Sequence, residues 1–239
     1  MSSSKQLIVL GSEGALGSGV IEKATDKGLW PVVAVDHHET PKNGVPGVTY
    51  RSADFENPNT IRQLTAKLLE RPVSQTVLVS TIGSFGHNYA EQDLGFEDIA
   101  RTIQINLLGI TQLVFEMGSA CVKSGNQLRV VIVGSTAGYV GSRDIGYGIA
   151  KAGLNGLVLS VSKCFASKNV TAIGVNPGIF ESPMSTSVSK ERQKSVVEQT
   201  HLKRPGTISE IVNTVTYAAF DAPDFMTGSL LSVNGGQYS

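Results

Sequence analysis

Short apolar runs alternate along the chain with longer segments in which apolar residues recur every three or four positions. Short runs of this kind are typical of buried strands, and the longer periodic segments are typical of helices. The runs predict strands near residues 6–11, 31–36, 48–53, 75–81, 127–135, 170–176 and 228–233. The periodic segments predict helices near residues 14–28, 58–70, 96–123, 145–168, 185–200 and 207–220.

The alternation of strand and helix predicts an α/β fold, because parallel neighbouring strands need a crossover connection that is usually a helix. We expect a doubly wound parallel sheet of seven strands with helices on both faces. The chain shows no internal repeat and no low-complexity linker, so we predict one domain over residues 1–239. Two irregular segments, 84–94 and 179–203, follow strand ends and are expected to overhang the mouth of the sheet.

Composition narrows the class of function. Twenty acidic residues balance twenty basic ones, and no charged cluster suggests nucleic acid or an acidic membrane surface. We expect no apolar stretch to approach the roughly 18 residues of a spanning helix, and the first residues carry no signal-peptide core. Cys121 and Cys164 lack Cys-x-x-Cys spacing and are interpreted as reduced thiols of a cytoplasmic protein. No group of ligands has metal-binding spacing, so no metal is expected.

A glycine-rich turn follows the first strand. Gly11, Gly14 and Gly17 stand between that strand and a helical segment, which is the context in which such a turn indicates dinucleotide binding. Glycines let backbone N–H groups approach a pyrophosphate at the helix N-terminus. Asp36 closes the second strand nineteen residues beyond Gly17, close to the spacing of a carboxylate that binds an adenosine ribose. These features together predict a Rossmann-type fold, although each alone is also compatible with an ordinary turn.

Tyr147 and Lys151 form the strongest catalytic candidate. Residues four apart lie on the same face of a helix, so the lysine is expected close to the phenol. A nearby positive charge lowers the pKa of a phenol and suits it to proton transfer. Ser135 lies twelve residues upstream, at the carboxyl end of a predicted strand. Tyr-x-x-x-Lys alone also occurs by chance on amphipathic helices, and the upstream nucleotide-binding pattern is what favours a catalytic role.

Over nearly its whole length, the chain resembles the short-chain dehydrogenase/reductase family. The resemblance implies that Ser135, Tyr147, Lys151 and Asn106 are catalytic. It also implies a cofactor site in which Tyr147 and Lys151 take part. The remaining implied cofactor-binding residues are Gly11, Glu13, Gly14, Ala15, Leu16, Gly17, Asp36, Asp54, Phe55, Thr81, Gly83, Pro177, Gly178 and Ile179. The chain departs from the family in the segment Ser80-Thr81-Ile82-Gly83, which replaces Asn-Asn-Ala-Gly, and in a Ser-to-Tyr spacing that is one residue shorter.

The resemblance implies an oxidoreductase that transfers a hydride between a nicotinamide and a small carbonyl or secondary alcohol, with Tyr147 as general acid and base. Asp36 favours NAD(H) over NADP(H), because the 2′-phosphate would lie against its carboxylate. A homodimer or homotetramer is implied, paired through the helices near 96–123 and 145–168. Small residues on these helices would permit close contact between subunits or within one chain: Gly109, Gly118, Ala152, Gly153 and Gly156.

Two other functions remain open. Gly83-Ser84-Phe85-Gly86 and the segment around Tyr147 are similar to the quinonoid dihydropteridine reductase branch, in which an aromatic side chain stacks on a pterin. That branch typically lacks the active-site serine, whereas Ser135 is present here. A non-catalytic protein that senses dinucleotides is the second alternative, although such proteins commonly lose the tyrosine or the lysine.

Overall fold

The computed structural model describes residues 4–38, 41, 44–70, 73–85, 95–182 and 189–238. All seven predicted strands form and join one parallel sheet in the order β3-β2-β1-β4-β5-β6-β7. Their bounds are β1 Lys5–Leu10, β2 Val32–Asp36, β3 Thr49–Ser52, β4 Gln75–Ser80, β5 Gln127–Val133, β6 Val170–Pro177 and β7 Leu230–Val233. The predicted Rossmann-type α/β fold is confirmed.

Helices cover both faces of the sheet, because alternate strand residues point to opposite sides. In β1, Ile8 and Leu10 enter the core cluster of one face, and Leu7 and Val9 enter that of the other. The helices are α1 Ala15–Asp26, α2 Pro58–Leu69, α3 Phe96–Ile103, α4 Gly109–Ser124, α5 Ala137–Val140, α6 Ile145–Phe165, α7 Lys190–Gln199 and α8 Ile208–Thr216. Buried residues of α2, α4 and α6 pack on the first face, and those of α1 and α8 pack on the second.

Several helix boundaries differ from the sequence prediction. The helix predicted over 96–123 contains a π-helical segment, Gln104–Leu108, between α3 and α4. The helix predicted to reach residue 168 ends its α-helical part at Phe165 and continues as a 3₁₀ turn, and Asn169 then adopts a left-handed φ of 63°. The last predicted helix ends in a second π-helical segment, Tyr217–Asp221. Hydrophobic periodicity does not distinguish these short variants from the α-helices that they adjoin.

Two further elements correct the sequence prediction. The helix predicted from residue 185 begins at Lys190, because the Ser189 side chain accepts a hydrogen bond from Arg192 N–H and caps it; residues 183–188 lie outside the described part. The short helix α5 was not predicted, and it lies in the loop that carries the shortened spacing from Ser135 to Tyr147.

The continuous helical stretch Phe96–Ser124 is long and apolar enough to cross a membrane by length and composition. The expectation that no stretch approaches this length is therefore wrong, because α3, the π-helical segment and α4 join without a break. Leu113 and Met117 on this stretch are buried in the core against the sheet. That is the packing of a core helix, whose buried face is necessarily apolar.

Candidate functional site

The predicted site residues gather at one edge of the sheet. Carboxyl ends of parallel strands meet at the same edge, which is where open α/β sheets bind their ligands. The glycine turn follows β1, Asp36 ends β2, Thr81 and Gly83 follow β4, and Ser135 follows β5. Pro177 ends β6 and leads into Gly178 and Ile179. Residues that are far apart in the sequence are therefore brought to one edge of the sheet.

The glycine turn forms a cradle of backbone between β1 and α1. Gly11 has a left-handed φ of 79°, and a Cβ on Gly17 would lie 2.1 Å from the Gly11 carbonyl oxygen. Gly14 is the N-cap of α1 and supplies no side-chain cap, so N–H groups at the positive end of the helix remain available. Glu13, Ala15 and Leu16 fill the positions between the glycines. A close backbone approach at a helix N-terminus is the arrangement that binds a pyrophosphate.

Asp36 lies directly beside this turn. Its Oδ2 accepts a hydrogen bond from Glu13 N–H at 2.9 Å, and its Oδ1 accepts one from His37 N–H at 2.8 Å. The ring atom His37 Nδ1 lies 2.6 Å from the same Oδ1. The Asp36 side chain is only 12% exposed, whereas the His37 side chain is 67% exposed. The carboxylate is thus held at the end of β2, next to the helix N-terminus, where a ribose would follow the pyrophosphate.

The segment after β4, which departs from the family's sequence pattern, still connects β4 to the glycine turn by hydrogen bonds. The Thr81 hydroxyl donates to the Leu10 carbonyl at 2.9 Å and lies 3.1 Å from the Gly11 carbonyl. The asparagines that the family has in this segment usually connect parts of the sheet, so their absence alone predicts that this connection is lost. Thr81, which has a shorter side chain, restores part of the connection through its hydroxyl. Ser80, by contrast, is fully buried, and its Oγ has no hydrogen-bond partner within the described part of the chain.

A cavity of about 650 Å³ opens beside β3, and the residue that follows Asp36 in the chain lines it. Asp54 and the chain around β3 line it, and Phe55 beneath them is buried in the core. The basic residues His37, Arg51 and Lys67 also line this cavity. A nucleotide lying across the sheet edge from the glycine turn would place its adenosine end near this cavity.

Asn106 lies in the π-helical segment and is fully buried. Its Oδ1 accepts a hydrogen bond from Ser84 N–H at 2.8 Å, and its Nδ2 donates to the Ser84 carbonyl at 2.9 Å and to the Thr102 carbonyl at 3.0 Å. The side chain therefore fixes the backbone just after Gly83. π-helical segments are frequent at functional sites, where the widened turn redirects side chains.

Lys151 is buried one helical turn after Tyr147 on α6. Its Nζ donates to the Ile82 carbonyl at 3.3 Å and to the Val133 carbonyl at 3.2 Å. The same Nζ lies 5.5 Å from the centre of the Tyr147 ring. Burial lowers the pKa of Lys151 to about 8, because an ammonium group loses its hydration there. The predicted proximity of ammonium and phenol is thus present.

The Tyr147 phenol does not have the lowered pKa that the sequence suggested. Burial raises the pKa of Tyr147 to about 12; a hydrogen bond from Ser135 lowers it in part, and the Asp144 carboxylate raises it further. The prediction considered the lysine charge alone and left out desolvation, which is larger here. At neutral pH the phenol is therefore protonated. The Phe85 ring packs over it with 4.5 Å between ring centres.

Ser135 is oriented by its own loop. Its Oγ accepts a hydrogen bond from Ala137 N–H at 3.1 Å, so the hydroxyl hydrogen is the part of the group that can donate, and its partner here is the Tyr147 oxygen. The next residue, Thr136, donates its N–H to the Pro177 carbonyl at 2.9 Å. Gly178 N–H bonds the Val233 carbonyl at 3.0 Å, and Ile179 accepts from Gly206 N–H at 2.9 Å. The serine and the segment after β6 are thereby joined.

The contacts of two groups of side chains at the site were not predicted from the sequence. Asp144 is a buried N-cap of α6, and its Oδ1 accepts from Tyr147 N–H at 2.9 Å. Asn155 and Tyr139 bind the side chain of Asn176. An Asp three residues before the tyrosine is a recognisable capping signal, whereas the second group depends on tertiary packing and has no local signal. His87, Asn88, Tyr89 and Met184 belong to the two irregular segments that were expected to overhang the mouth of the sheet, and they lie outside the described residues.

Within the described ranges, no group of three or more His, Cys, Asp or Glu side chains could hold a metal ion. The glycine cradle, the open helix N-terminus and Asp36 instead fit a dinucleotide.

Comparison with known proteins agrees with this geometry. The family model described as Enoyl-(Acyl carrier protein) reductase matches residues 25–238. The 3-oxoacyl-[acyl-carrier-protein] reductase FabG of Buchnera aphidicola subsp. Schizaphis graminum is 26% identical over 246 residues, which cover 98% of this chain and 97% of the relative. FabG of Escherichia coli (strain K12) is 27% identical over 245 residues, with the same coverage.

Similar solved structures indicate the same class of protein. The short-chain dehydrogenase/reductase SDR:Glucose/ribitol dehydrogenase from Brucella melitensis is 27% identical, with a TM-score of 0.84 over 98% of this chain and 97% of that one. A 4-hydroxyisoleucine dehydrogenase complexed with NADH shares the fold, with a TM-score of 0.87 over 98% of each chain at 20% identity.

The chain belongs to the short-chain dehydrogenase/reductase family. It is an oxidoreductase of this family, whose members bind a nicotinamide cofactor.

Proposed function

We propose that the protein transfers a hydride between NAD(H) and a small carbonyl or secondary alcohol, with Tyr147 as the general acid and base. The observation that carries the proposal is the cluster of Ser135, Tyr147 and Lys151 beside the glycine turn. The nicotinamide, when bound, supplies or accepts the hydride, and the protein supplies position, protons and electrostatics.

Tyr147 acts on the proton of the substrate oxygen. The protonated phenol is the form required to donate to that oxygen during carbonyl reduction, and its raised pKa of about 12 keeps it in this form at neutral pH. In alcohol oxidation the same oxygen takes the proton back. Ser135 donates its hydroxyl hydrogen to the same substrate oxygen, because its acceptor side is already bound to Ala137 N–H.

Lys151 and Asn106 support this pair. The buried Lys151 ammonium stabilises negative charge that develops near the phenol, and the carbonyls of Ile82 and Val133 hold it in place. Asn106 fixes the backbone at Ser84 and so maintains the position of the preceding segment, whose Ile82 carbonyl binds Lys151. Lys151 thus acts on the charge beside the proton donor, and Asn106 acts on the position of Lys151.

The proposed preference for NAD(H) rests on Asp36, which has no Arg or Lys directly after it. Arg51 and Lys67, which line the neighbouring cavity, favour the opposite choice because their cations would bind a 2′-phosphate. We favour NAD(H), since Asp36 is hydrogen-bonded to the glycine turn itself at Glu13 N–H, whereas Arg51 is an exposed side chain.

The proposed substrate is compact and bears a carbonyl. The FabG relatives are named as reductases of 3-oxoacyl groups on acyl carrier protein, and the Brucella melitensis relative is named as a glucose/ribitol dehydrogenase. These names suggest a β-keto ester or a polyol-derived ketone as the first compounds to test. A pterin is the second candidate, because the flat Phe85 ring already packs against the Tyr147 ring.

A turnover screen tests the proposed function. Ethyl acetoacetate, a polyol-derived ketone and quinonoid dihydropterin are each supplied with NADH or NADPH, and cofactor oxidation is followed by absorbance. We expect Tyr147-dependent turnover of at least one ketone. Tyr147-dependent turnover of the pterin alone would replace the first candidate with the second. Binding of NADH without turnover of any compound would support the non-catalytic alternative.

We propose that the protein forms a homodimer or homotetramer. Of the five small residues named from the sequence, Gly109, Gly118 and Gly153 meet side chains of their own chain, namely Phe55, Phe165 and Leu107. A Cβ on Gly156 would meet no described atom within 4 Å, and Ala152 is exposed. Large apolar side chains are exposed on the same two helices, including Phe115 at 58%, Ile149 at 48% and Leu159 at 51%. Exposed apolar residues of this kind suit a subunit interface.

Light scattering at micromolar concentration should give the mass of at least two chains. Leu159→Glu would place a charge in the proposed interface and should reduce that mass to one chain. Phe225→Glu is the matched control, because Phe225 is fully exposed on the 3₁₀ turn Asp224–Met226, away from α4 and α6 in the sequence. A monomeric parent protein would contradict the proposed assembly.

We place the protein in the cytoplasm as part of the same proposal. Cys121 and Cys164 are free thiols, the first buried and the second exposed. An exposed free thiol suits a reducing compartment.

A further inference from the structure

The backbone of Ser135 is held by a buried side chain from the next strand. Ser135 N–H donates to Asn176 Oδ1 at 3.1 Å, and Asn176 is fully buried near the end of β6. The residue before the serine is Gly134, where a Cβ would lie 1.9 Å from Asn176 Oδ1. The close contact therefore requires a glycine, and the orientation of the Asn176 carboxamide determines where the serine backbone lies.

The orientation of that carboxamide depends on two acceptors. Asn176 Nδ2 donates to the Tyr139 hydroxyl at 2.7 Å and to Asn155 Oδ1 at 2.9 Å. Asn155 is part of the long helix α6, which also carries Tyr147 and Lys151. Tyr139 is part of α5, the single helical turn within the loop between Ser135 and α6. A buried amide needs both partners, because an unsatisfied donor in this setting is costly.

Tyr139 is in turn covered by an aromatic ring from the segment after β7. The rings of Tyr139 and Tyr238 stack with 4.9 Å between centres and an angle of 10° between planes. The Tyr238 carbonyl accepts a hydrogen bond from Asn234 Nδ2 at 2.8 Å, and Gly236 N–H donates to Asn234 Oδ1 at 3.0 Å. These bonds hold Tyr238 in position, so its stacked ring limits displacement of the Tyr139 side chain.

We propose that Tyr238 is a positioning residue for Ser135, which it orients through Tyr139 and Asn176. The inference rests on the proposed function, because it takes Ser135 to be the group that donates to the substrate oxygen. Loss of the Tyr238 ring lets the Tyr139 side chain move, which displaces its hydroxyl from Asn176, weakens that hydrogen bond and lets the serine backbone shift. Small displacements of a catalytic group lower the rate of the chemical step more than they weaken binding.

The test measures kcat and KM for ethyl acetoacetate and for the preferred cofactor in Tyr238→Ala and Tyr238→Phe. We expect Tyr238→Ala to lower kcat about three- to tenfold with an unchanged KM for the cofactor. Tyr238→Phe keeps the stacked ring and should restore the parent kcat. Tyr217→Ala is the matched control, because Tyr217 is 40% exposed and Tyr238 is 43% exposed, and Tyr217 contacts Met226 rather than the site.

The same variants in a Ser135→Ala background separate positioning from general destabilisation. If Tyr238 acts through the serine, Tyr238→Ala should cause no further loss of kcat once the hydroxyl is absent. An equal loss in both backgrounds, or a parent-like kcat in Tyr238→Ala while Ser135→Ala remains impaired, would overturn the inference alone. A parent-like kcat in Ser135→Ala would overturn the proposed function instead.

A variant that retains the fold more safely is available if Tyr238→Ala does not fold. Tyr139→Phe keeps the stacked ring and removes only the oxygen that accepts from Asn176 Nδ2. It should lower kcat in the parent background and leave kcat unchanged in the Ser135→Ala background. A parent-like kcat in Tyr139→Phe would also overturn the inference.

Discussion

Tyr147→Phe should lower kcat by roughly 10²–10⁴, which is the scale of general acid–base catalysis. The substitution keeps the ring that packs against Phe85 and removes only the hydroxyl that donates to the substrate oxygen. The fold and the affinity for the cofactor should therefore stay close to those of the parent protein. Steady-state kinetics with ethyl acetoacetate, together with the thermal midpoint of unfolding, measure both effects.

The control for this change is Tyr217→Phe. Tyr217 is partly exposed, and its hydroxyl contacts only the Met226 sulfur at 3.5 Å among the described contacts. It should retain the parent kcat. If Tyr147→Phe also turned over substrate at the parent rate, the assignment of Ser135, Tyr147 and Lys151 as the catalytic group would be wrong.

Asp36→Ala should reverse or remove the preference for NAD(H). In the parent protein the 2′-phosphate of NADP(H) would bring a dianion against the Asp36 carboxylate. Two like charges ~4 Å apart repel by about 1 kcal/mol in water and by about 4 kcal/mol at an effective dielectric constant of 20. A preference of about one to three powers of ten follows, since about 1.4 kcal/mol corresponds to tenfold in affinity.

The measurement is kcat/KM for NADH and NADPH at pH 7.5 with one ketone, in the parent protein and in three variants. Asp36→Ala should raise kcat/KM for NADPH. Arg51→Ala should lower the NADPH value if Arg51 binds the 2′-phosphate, and should leave the NADH value unchanged. Lys23→Ala is the control, because Lys23 lies on the exposed side of α1 and binds Asn213. Equal efficiencies for both cofactors in the parent, or no gain for NADPH in Asp36→Ala, would contradict a ribose contact by Asp36.

The fold was largely predictable because the strands are buried on both faces. In β1, β4 and β5, continuous apolar runs mark a buried parallel strand without further information. The glycine turn and Tyr147-x-x-x-Lys151 were also predictable, since their chemistry depends on spacing within one element. The π-helical segment at Asn106 was not predictable, because hydrophobic periodicity does not distinguish one widened turn from the α-helix around it.

Environments created by distant segments could not be predicted from the sequence. The pKa of Tyr147 was predicted to fall because Lys151 was visible in the sequence, whereas the burial that raises it comes from the packing around α6. Asn176 directly precedes the predicted site residues Pro177 and Gly178, but its bonds to Asn155 and Tyr139 join positions 21 and 37 residues away in the chain. Such contacts carry no local pattern of residues.

Deuteride transfer to a ketone is the decisive measurement for the proposed reaction. The parent protein is incubated with ethyl acetoacetate and cofactor that carries deuterium at the transferable C4 position, and the hydroxy ester is examined by mass spectrometry. We expect one deuterium on the carbinol carbon, in product formed by the parent protein and by Tyr217→Phe, and almost no product with Tyr147→Phe. Product without deuterium, or deuterated product formed equally fast by Tyr147→Phe, would contradict hydride transfer assisted by Tyr147.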